Sequence, residues 1–229
     1  MTNEHFLWEI SKKPVPYPFA LSRMQDIAQK IRAENAQERV WLLEHPPLYT
    51  SGTSARPEDL FNPHNYPTYD AGRGGQWTYH GPGQRIAYLM LDLQKPHSTI
   101  PPRDLRAYVH GLEAWVIRTL ATFGLKGECR ENRVGVWVVD PRTGLEEKIA
   151  AIGVRVSRWV SWHGISINLR PNMADFEGIV PCGIKEYGVT SFEKLGLNVT
   201  QPQLDAALVA NWQPVFGSQP TPFTELEAE

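Results

Sequence analysis

Hydrophobic residues recur at helical spacing in three stretches of the chain. The first covers residues 18–36, where the apolar positions are Leu21, Met24, Ile27, Ala28 and Ile31. The second opens at the prolines 101–102 and ends near Gly124. The third follows Thr200 and Gln203, which have the spacing of a capping box. Because side chains three and four positions apart share one face, each stretch predicts an amphipathic helix.

Other apolar runs are short and continuous, which is typical of buried strands. They cover residues 40–43, 86–93, 134–139, 149–156 and 159–169. The turn sequence DPRTG at 140–144 joins two of them into a predicted hairpin, which the last run continues. Residues 50–70 are rich in Pro, Asn, Ser and Asp and predict a loop. Since strands come in adjacent runs with helices between them, the order predicts an α+β fold rather than alternating βαβ units.

The length and the hydrophobic content are enough for one well-formed core, because 41% of the 229 residues are hydrophobic. No internal repeat, heptad run or linker divides the chain. We therefore expect a single domain over residues 1–212. The segment 213–229 is polar and proline-rich, and we expect a loosely packed C-terminal extension there.

Charge and cysteine usage narrow the function classes. The net charge is -2, so the chain lacks the basic field of a nucleic-acid binder. The first residues do not have the pattern of a secretory signal, and no stretch approaches the ~20 apolar residues that span a membrane. Only two cysteines are present, Cys129 and Cys182. We expect both to be reduced thiols in a cytoplasmic protein.

The glycine-rich stretch GRGGQWTYHGPGQ at 72–84 is the strongest local signal. Glycine lets backbone N–H groups approach a ligand closely, and Arg73, Tyr79 and His80 lie among the glycines. The stretch is not a phosphate loop, because it has no GKS or GKT ending and its glycines do not fit GxGxxG. A surface hairpin rich in turn residues is the alternative. The density of polar side chains favours a ligand-binding loop.

Cys182 lies between Pro181 and Gly183, which predicts a constrained turn. If a short helix follows from about Ile184, its N-terminal partial charge favours the thiolate, which is the reactive form of cysteine. The alternative is an ordinary small buried hydrophobe. Cys129 follows the polar sequence KGE, and we interpret it as structural. Cys182 is therefore the candidate nucleophile.

Lys148 opens the predicted strand 149–156, and a lysine there is usually a solvated strand end. Beside a thiol, however, its ammonium lowers the thiol pKa, and a desolvated lysine can itself act as a base. The sequence distance between Lys148 and Cys182 does not show whether they meet. His45, His80 and His163 each precede glycine or proline and are candidates for a Cys–His pair. A metal site is poorly supported, because no CxxC or HExxH is present.

Four blocks of the sequence resemble the lipoyl(octanoyl) transferases, the octanoyltransferases of lipoate biosynthesis. They are EHPPLYTSG at 44–52, GRGGQWTYHGPGQ at 72–84, EEKIAAIGVRV at 146–156 with WHGISINL at 162–169, and IVPCGI at 179–184. Their order and spacing agree with the family over roughly residues 40–195. The resemblance implies a mixed β-sheet with packed helices, like that of the biotin and lipoate protein ligases.

The resemblance also implies transfer of an octanoyl group from octanoyl-acyl carrier protein to a lysine of a lipoyl domain, without a cofactor. The acceptors would be 2-oxoacid dehydrogenase complexes and the glycine-cleavage H protein. The family's Cys–Lys dyad falls on Cys182 and Lys148. Its substrate-binding positions fall on Arg73, Gly74, Gly75, Gln76, Trp77, Thr78, Tyr79, His80, Ala151, Ile152, Gly153, Gly164, Ile165 and Ser166. Trp77 departs from the smaller aliphatic residue expected there, and would narrow the acyl pocket or pack outside it.

Three alternatives stay open at this point. The first is an ATP-dependent lipoate or biotin ligase on the same fold, which would need no cysteine. The second is a catalytically silent module that binds lipoyl or acyl groups. The third is a cysteine hydrolase that uses His80 or His163 and transfers the acyl group to water. The combination of Lys148 and Cys182 favours the octanoyltransferase.

Overall fold

The computed structural model describes residues 6–180 and 187–226. Its helices are α1 (Tyr17–Glu34), α2 (Leu105–Ala121), α3 (Gln201–Ala210) and α4 (Gln213–Phe216). Its strands are β1 (Phe6–Ser11), β2 (Arg39–Leu43), β3 (Leu48–Ser51), β4 (Thr68–Asp70), β5 (Thr78–His80), β6 (Gln84–Met90), β7 (Glu128–Arg130), β8 (Arg133–Val139), β9 (Glu146–Ser157), β10 (Val160–Asn168), β11 (Gly188–Val189) and β12 (Pro220–Leu226). The three helices expected from the sequence are confirmed as α1, α2 and α3, and the five expected strands are confirmed as β2, β6, β8, β9 and β10.

The main sheet is mixed. Its strands follow the order β12-β1-β2-β6-β10-β9-β8-β7, and β11 pairs with β9 outside this path. The pairs β12–β1, β1–β2 and β11–β9 are parallel, and the remaining pairs are antiparallel. The predicted α+β class with a mixed sheet is confirmed, and so is the hairpin formed by β8 and β9.

Helices cover both faces of this sheet because each has one apolar stripe. Met24, Ile27 and Ile31 of α1 are buried against β2 and β6 on one face. The opposite face is covered by α2 and α3, whose apolar residues join Trp8 and Trp212 in the larger core. No helix in the described ranges is long and apolar enough to cross a membrane.

The helix ends follow ordinary capping chemistry. The expected capping box is confirmed at α3, where Thr200 and Gln203 bond reciprocally. The expected start of α2 at the prolines 101–102 is wrong by a few residues. Asp104 is the N-cap instead, and its carboxylate accepts a hydrogen bond from the Ala107 N–H at 2.9 Å. An N-cap side chain satisfies a backbone donor that proline cannot.

A second, three-stranded sheet has the order β4-β3-β5. The loop expected over residues 50–70 is therefore only partly correct, since this sheet takes residues from both of its ends and from the glycine-rich stretch. Tyr49 and Tyr79 are buried there, and they pack with Phe176. Strands of three or four residues are too short to show an alternating pattern, so the sequence did not predict them.

The prediction of a loosely packed C-terminal extension is wrong for residues 213–226. The Phe216 ring of α4 is buried and stacks on Trp212 with ring centroids 3.9 Å apart. After it, β12 pairs in parallel with β1 and places Phe223 against Trp8. Two aromatic residues within a polar segment were enough to dock it, although most side chains of β12 are exposed.

Candidate active site

A cavity of about 240 Å³ lies between the two sheets. One side, the sheet wall, is formed by Lys148, Ala151, Ile152, Gly153, Gly164, Ile165 and Ser166 of β9 and β10. The other side, the loop wall, is formed by Arg73, Gly75, Gln76, Trp77, Thr78 and His80. The structure thus brings residues of two distant sequence blocks to one cavity, and all of these were predicted site residues.

Two predicted positions, Gly74 and Tyr79, do not line the cavity. Side chains alternate along a strand, so Thr78 and His80 of β5 face the cavity while Tyr79 faces away. The Tyr79 hydroxyl donates a hydrogen bond to Asp175 Oδ2 at 2.7 Å. The Gly74 N–H donates to the Val154 carbonyl of β9 at 3.0 Å. Both residues therefore hold the loop wall in place.

Strand pairing sets the sheet wall. Gly153 is directly opposite Gly164, Ile152 is opposite Ile165, and Ala151 is opposite Ser166. The two blocks 146–156 and 162–169 therefore meet in register along neighbouring antiparallel strands. Small and aliphatic side chains at these positions leave open space in front of the sheet.

Arg73 organises the loop wall from a buried position. Its Nη2 donates to the Thr50 carbonyl at 2.9 Å and to Thr50 Oγ1 at 2.8 Å, while Nη1 donates to the Gly74 carbonyl at 2.9 Å. This side chain also touches the sheet wall. A Cβ atom on Gly153 would lie 2.8 Å from Arg73 Cδ and 3.1 Å from the Gly74 carbonyl oxygen, so only glycine permits this approach.

Lys148 is buried, with 5% of its surface exposed, and is not the solvated strand end that is usual for lysine. Its Nζ donates to the Val134 carbonyl at 2.9 Å and lies 4.7 Å from the centroid of the Trp137 ring. A carbonyl dipole and an aromatic face both attract an ammonium group. The ammonium is thereby held at the edge of the cavity.

A β-bulge determines which way Lys148 points. In the β8–β9 ladder Val136 pairs with Ala150 but Trp137 pairs with Lys148, so Ile149 is an extra residue. Ile149 and Ala150 both pack into the larger core, whereas Lys148 and Ala151 line the cavity. Strict alternation would place Lys148 on the face of Ala150, so the bulge turns the lysine to the cavity.

Cys182 lies outside the described residues, as do all of residues 181–186. The chain on either side is well fixed. Just before the segment, the Val180 N–H donates a hydrogen bond to the Asp59 carbonyl at 2.9 Å. Just after it, Val189 of β11 pairs with Lys148 of β9. Phe176 and Val189 also line, with Lys148, a small cavity of about 20 Å³ beside the main one. The predicted nucleophile therefore belongs to a segment that is followed, at Val189, by a strand paired with the predicted lysine.

An unforeseen cluster fixes the segment before Cys182. Asp175 lies in the short 3₁₀ helix Met173–Gly178 and is buried. Its carboxylate accepts hydrogen bonds from Tyr79 at 2.7 Å and Tyr66 at 3.2 Å, and its carbonyl accepts one from Tyr49 at 2.6 Å. Burial and the neighbouring carboxylate raise the pKa of Tyr79 and bring that of Tyr49 to about 12, so both hydroxyls stay protonated as donors.

The three candidate histidines are buried around Tyr17 and Tyr88. His163 Nε2 lies 3.0 Å from the Tyr17 hydroxyl, and His45 Nε2 lies 2.7 Å from the Tyr88 hydroxyl. Burial lowers the pKa of His45 to about 4 and that of His163 to about 3, with the cationic Arg73 contributing at His163. Burial also lowers the pKa of His80 well below its ordinary value. Such neutral imidazoles are weak bases, which disfavours a Cys–His pair.

The sequence did not single out several residues that line the cavity. They are Tyr17, Thr50, Ser54, Ile86, Tyr88, Asn132, Arg133 and Val134. Three of them, Ile86, Tyr88 and Val134, lie in strands that the pattern of apolar residues predicted, but their contact with the site depends on how those strands pack. Among residues 6–180 and 187–226, no group of three or more His, Cys, Asp and Glu side chains is arranged to hold a metal ion.

Comparison with known proteins identifies the class of protein to which this fold belongs. The family model of the lipoyl protein ligase A/B catalytic domain matches residues 16–213. A bipartite lipoate protein ligase from Thermoplasma acidophilum has a similar fold, with a TM-score of 0.69 at 13% identity, covering 97% of this chain and 88% of that one. Lipoate-protein ligase A bound with ATP gives a TM-score of 0.73 at 10% identity, covering 97% and 90%. These likenesses confirm the expected ligase-like fold.

Curated relatives narrow the class further. An octanoyltransferase of Gluconacetobacter diazotrophicus is 63% identical over 97% of this chain and 96% of its own length. Another from Acidiphilium cryptum is 58% identical over 94% of each chain. The chain belongs to the octanoyltransferases of the lipoyl protein ligase A/B family, and it is an acyltransferase.

Proposed function

We propose that this chain transfers an octanoyl group from octanoyl-acyl carrier protein to a lysine of a lipoyl domain, through an S-octanoyl intermediate on Cys182. Lys148 favours the Cys182 thiolate and later accepts a proton from the incoming lysine. The observation that carries the proposal is the buried Lys148 ammonium at the edge of the cavity, paired through β11 with the chain just beyond the Cys182 segment.

The first half-reaction transfers the acyl group to the enzyme. The Cys182 thiolate attacks the thioester carbonyl of the donor, and the carrier protein leaves as its thiolate, which takes up a proton from the Lys148 ammonium. Lys148 is left as the neutral amine, ready to accept a proton in the second half-reaction. The attack needs the thiolate, so a nearby ammonium accelerates it near neutral pH. The Lys148 ammonium is well placed to supply this charge, because burial weakens its screening by water.

The second half-reaction forms an amide. The acceptor lysine must lose a proton before its nitrogen attacks the S-octanoyl carbonyl, and Lys148 is the proposed proton acceptor. The Cys182 thiolate then leaves and the enzyme is regenerated. Exchange of a thioester for an amide is favourable, so the reaction proceeds without ATP. The proposed acceptors are lipoyl domains of 2-oxoacid dehydrogenase complexes and the glycine-cleavage H protein.

The cavity suits the acyl chain. Ile152, Ile165 and the glycines of the sheet wall present an apolar surface, and the volume of about 240 Å³ lies just below the ~300–1,000 Å³ usual for pockets of drug-sized ligands. At ~0.8 kcal/mol for each buried methylene, an octanoyl chain would gain several kcal/mol of binding there. The proposal includes a cytoplasmic location, where a free thiol nucleophile stays reduced.

Mass spectrometry after incubation with octanoyl-carrier protein tests the nucleophile. We expect one octanoyl group that hydroxylamine removes, located on Cys182, retained in Cys129→Ser and absent from Cys182→Ala. Addition of a purified lipoyl domain should then move the group to the lysine of that domain without ATP. A wild-type enzyme without the labile adduct would refute the intermediate.

Further arms of the same assay separate the alternatives. Octanoylation of the lipoyl domain only with free octanoate and ATP would identify an ATP-dependent ligase. Release of free octanoate in place of lipoyl-domain labelling would identify a hydrolase. Binding of the donor without any transfer would identify an acyl-binding module.

A further inference from the structure

Glu113 is an unusual residue for the core-facing side of α2, since its side chain is only 4% exposed. A buried carboxylate is costly unless hydrogen bonds satisfy it. Glu113 Oε1 accepts a hydrogen bond from the Gly135 N–H at 3.2 Å, and Oε2 lies 3.0 Å from His110 Nδ1. The carboxylate thus reaches from the helix to the backbone of β8, one residue before its ladder with β9 begins at Val136.

The peptide group between Val134 and Gly135 connects this carboxylate to Lys148. Its N–H donates to Glu113, and its carbonyl accepts the hydrogen bond from Lys148 Nζ at 2.9 Å. A trans peptide is planar, so its N–H and C=O point in opposite directions. Fixing the N–H therefore fixes the direction in which the carbonyl holds the ammonium. Hydrogen bonds in such a chain also polarise one another.

Gly135 makes this arrangement sterically possible. Its φ of +121° lies in a region that favours glycine. A Cβ atom at this position would lie 2.7 Å from the Ala150 carbonyl oxygen and 3.2 Å from Lys148 Cε. The bare backbone of Gly135 therefore lets the peptide approach both the backbone of β9 and the lysine.

We propose that Glu113 is a positioning residue, which orients Lys148 through the peptide group 134–135. The inference rests on the proposed function, in which Lys148 activates Cys182. Without Glu113 the peptide loses the bond that fixes its plane, and the ammonium loses its defined direction. The thiolate fraction of Cys182 then falls, although neither Glu113 nor Gly135 touches the substrate.

The rate of Cys182 alkylation by iodoacetamide as a function of pH tests this role. A Cys129→Ser background leaves Cys182 as the single cysteine, and serine keeps a donor for the hydrogen bond that Cys129 shares with Glu113. In that background we expect Lys148→Ala to slow alkylation at pH 7 by about tenfold, the effect of raising the thiol pKa by one unit. We expect Glu113→Leu to slow it by about threefold, and Glu113→Gln, which keeps an acceptor, to stay within a factor of about 1.5.

Controls separate positioning from general damage. His110→Ala removes another partner of the Glu113 carboxylate, at an exposed site, and should leave the alkylation profile unchanged. Glu113→Asp shortens the reach by one methylene without burying a new apolar group, so it replaces Glu113→Leu if the leucine variant does not fold. A merely structural role would lower the melting temperature of the Glu113 variants without shifting the pH profile of alkylation, and this result would overturn the proposal.

The double variant Glu113→Leu/Lys148→Ala distinguishes the two hypotheses. If Glu113 acts through Lys148, the double variant reacts as slowly as Lys148→Ala alone, because coupled residues are not additive. A further threefold loss in the double variant would overturn the inference and leave the role of Lys148 intact. An unchanged profile in Lys148→Ala would refute the activating role of the lysine itself, and with it the inference.

Discussion

The residues of the two walls of the cavity are held in position by different kinds of interaction. On the sheet wall, main-chain pairing of β9 with β10 places each residue, and the side chains are small or aliphatic. On the loop wall, hydrogen bonds of side chains hold the residues in position. Arg73 donates to Thr50 and Gly74, and Asp175 accepts hydrogen bonds from three tyrosines. A backbone ladder tolerates changes in side chains, whereas a loop held by side chains depends on a few particular residues, here Arg73 and Asp175.

The largest expected effect is acid destabilisation, which involves both walls. His163 lies on β10, His80 lies on β5, and His45 packs beside His80. All three have a pKa lowered below the unfolded value near 6.5, so the unfolded chain binds more protons as the pH falls. Their stabilising effect is complete above pH 6.5 and is lost as the pH falls toward the folded values. From pH 7 to pH 5, His45 and His163 should each cost about 2 kcal/mol in the free energy of unfolding, and His80 acts in the same direction.

Urea unfolding of the wild type and of His163→Asn at both pH values measures this loss. Asparagine tolerates the φ of +60° at position 163 but does not titrate. The variant should be less stable at pH 7, because it loses the bond to Tyr17, yet its stability should fall by about 2 kcal/mol less between pH 7 and pH 5. An equal fall in both proteins would mean that His163 is not buried as a neutral imidazole.

The second effect concerns the point where the walls touch. Gly153→Ala places a Cβ atom 2.8 Å from Arg73 Cδ, so the loop wall must move away from the sheet wall. We expect a loss of about 1–3 kcal/mol in the free energy of unfolding and a lower kcat/KM for octanoyl transfer. Chemical denaturation and a transfer assay measure the two quantities.

Gly74→Ala is the matched control for this substitution. Gly74 lies between the loop-wall residues Arg73 and Gly75, but a Cβ atom there would meet only the Val154 carbonyl oxygen at 3.8 Å, which is ordinary contact. We expect a change within about 0.5 kcal/mol. If both alanine variants lose the same stability, close approach of Arg73 is not the reason that residue 153 is glycine.

The smallest expected effect comes from removing one of the hydrogen bonds to Asp175 that hold the loop wall in position. Tyr79→Phe removes one donor from the buried Asp175 carboxylate while keeping the ring, and should cost about 1.5 kcal/mol in the free energy of unfolding. Tyr66→Phe removes a longer bond of 3.2 Å at a partly exposed ring, and should cost less. Equal losses, or a larger loss for Tyr66→Phe, would contradict the central place of Tyr79 in this cluster.

Elements long enough to show their own periodicity were predictable from the sequence. The stripe of Met24, Ile27 and Ile31 gave α1, and the turn at 140–144 gave the β8–β9 hairpin. The small sheet and β12 were not predictable, because their strands are short or polar and are defined by their partners. Phe216 and Phe223 show this at the C-terminus, where docking depends on Trp8 and Trp212.

The candidate site was predictable to a similar degree. Motifs identified the residues of both walls, but strand alternation alone would have turned Lys148 toward the core. The bulge at Ile149 depends on the register with β8, which no local pattern reveals. Tyr79 was wrongly predicted to line the cavity, because strand β5 was not foreseen. Asp175 was not predicted at all, because its hydrogen-bond partners lie about a hundred positions away in the sequence.

The parallel pairing of β12 with β1 covers an edge of the main sheet that would otherwise be open. β12 takes the outer position of the main sheet, and its exposed residues include the polar Thr224 and Glu225 as well as Phe223. Thr221 Oγ1 accepts a hydrogen bond from the Trp8 N–H, and Phe223 packs on the Trp8 ring. A chain cut after Trp212 would expose β1, with an unpaired backbone and an uncovered tryptophan, as a template for strand exchange between molecules. Residues 220–226 thus cover the β1 edge of the sheet that forms one wall of the candidate site.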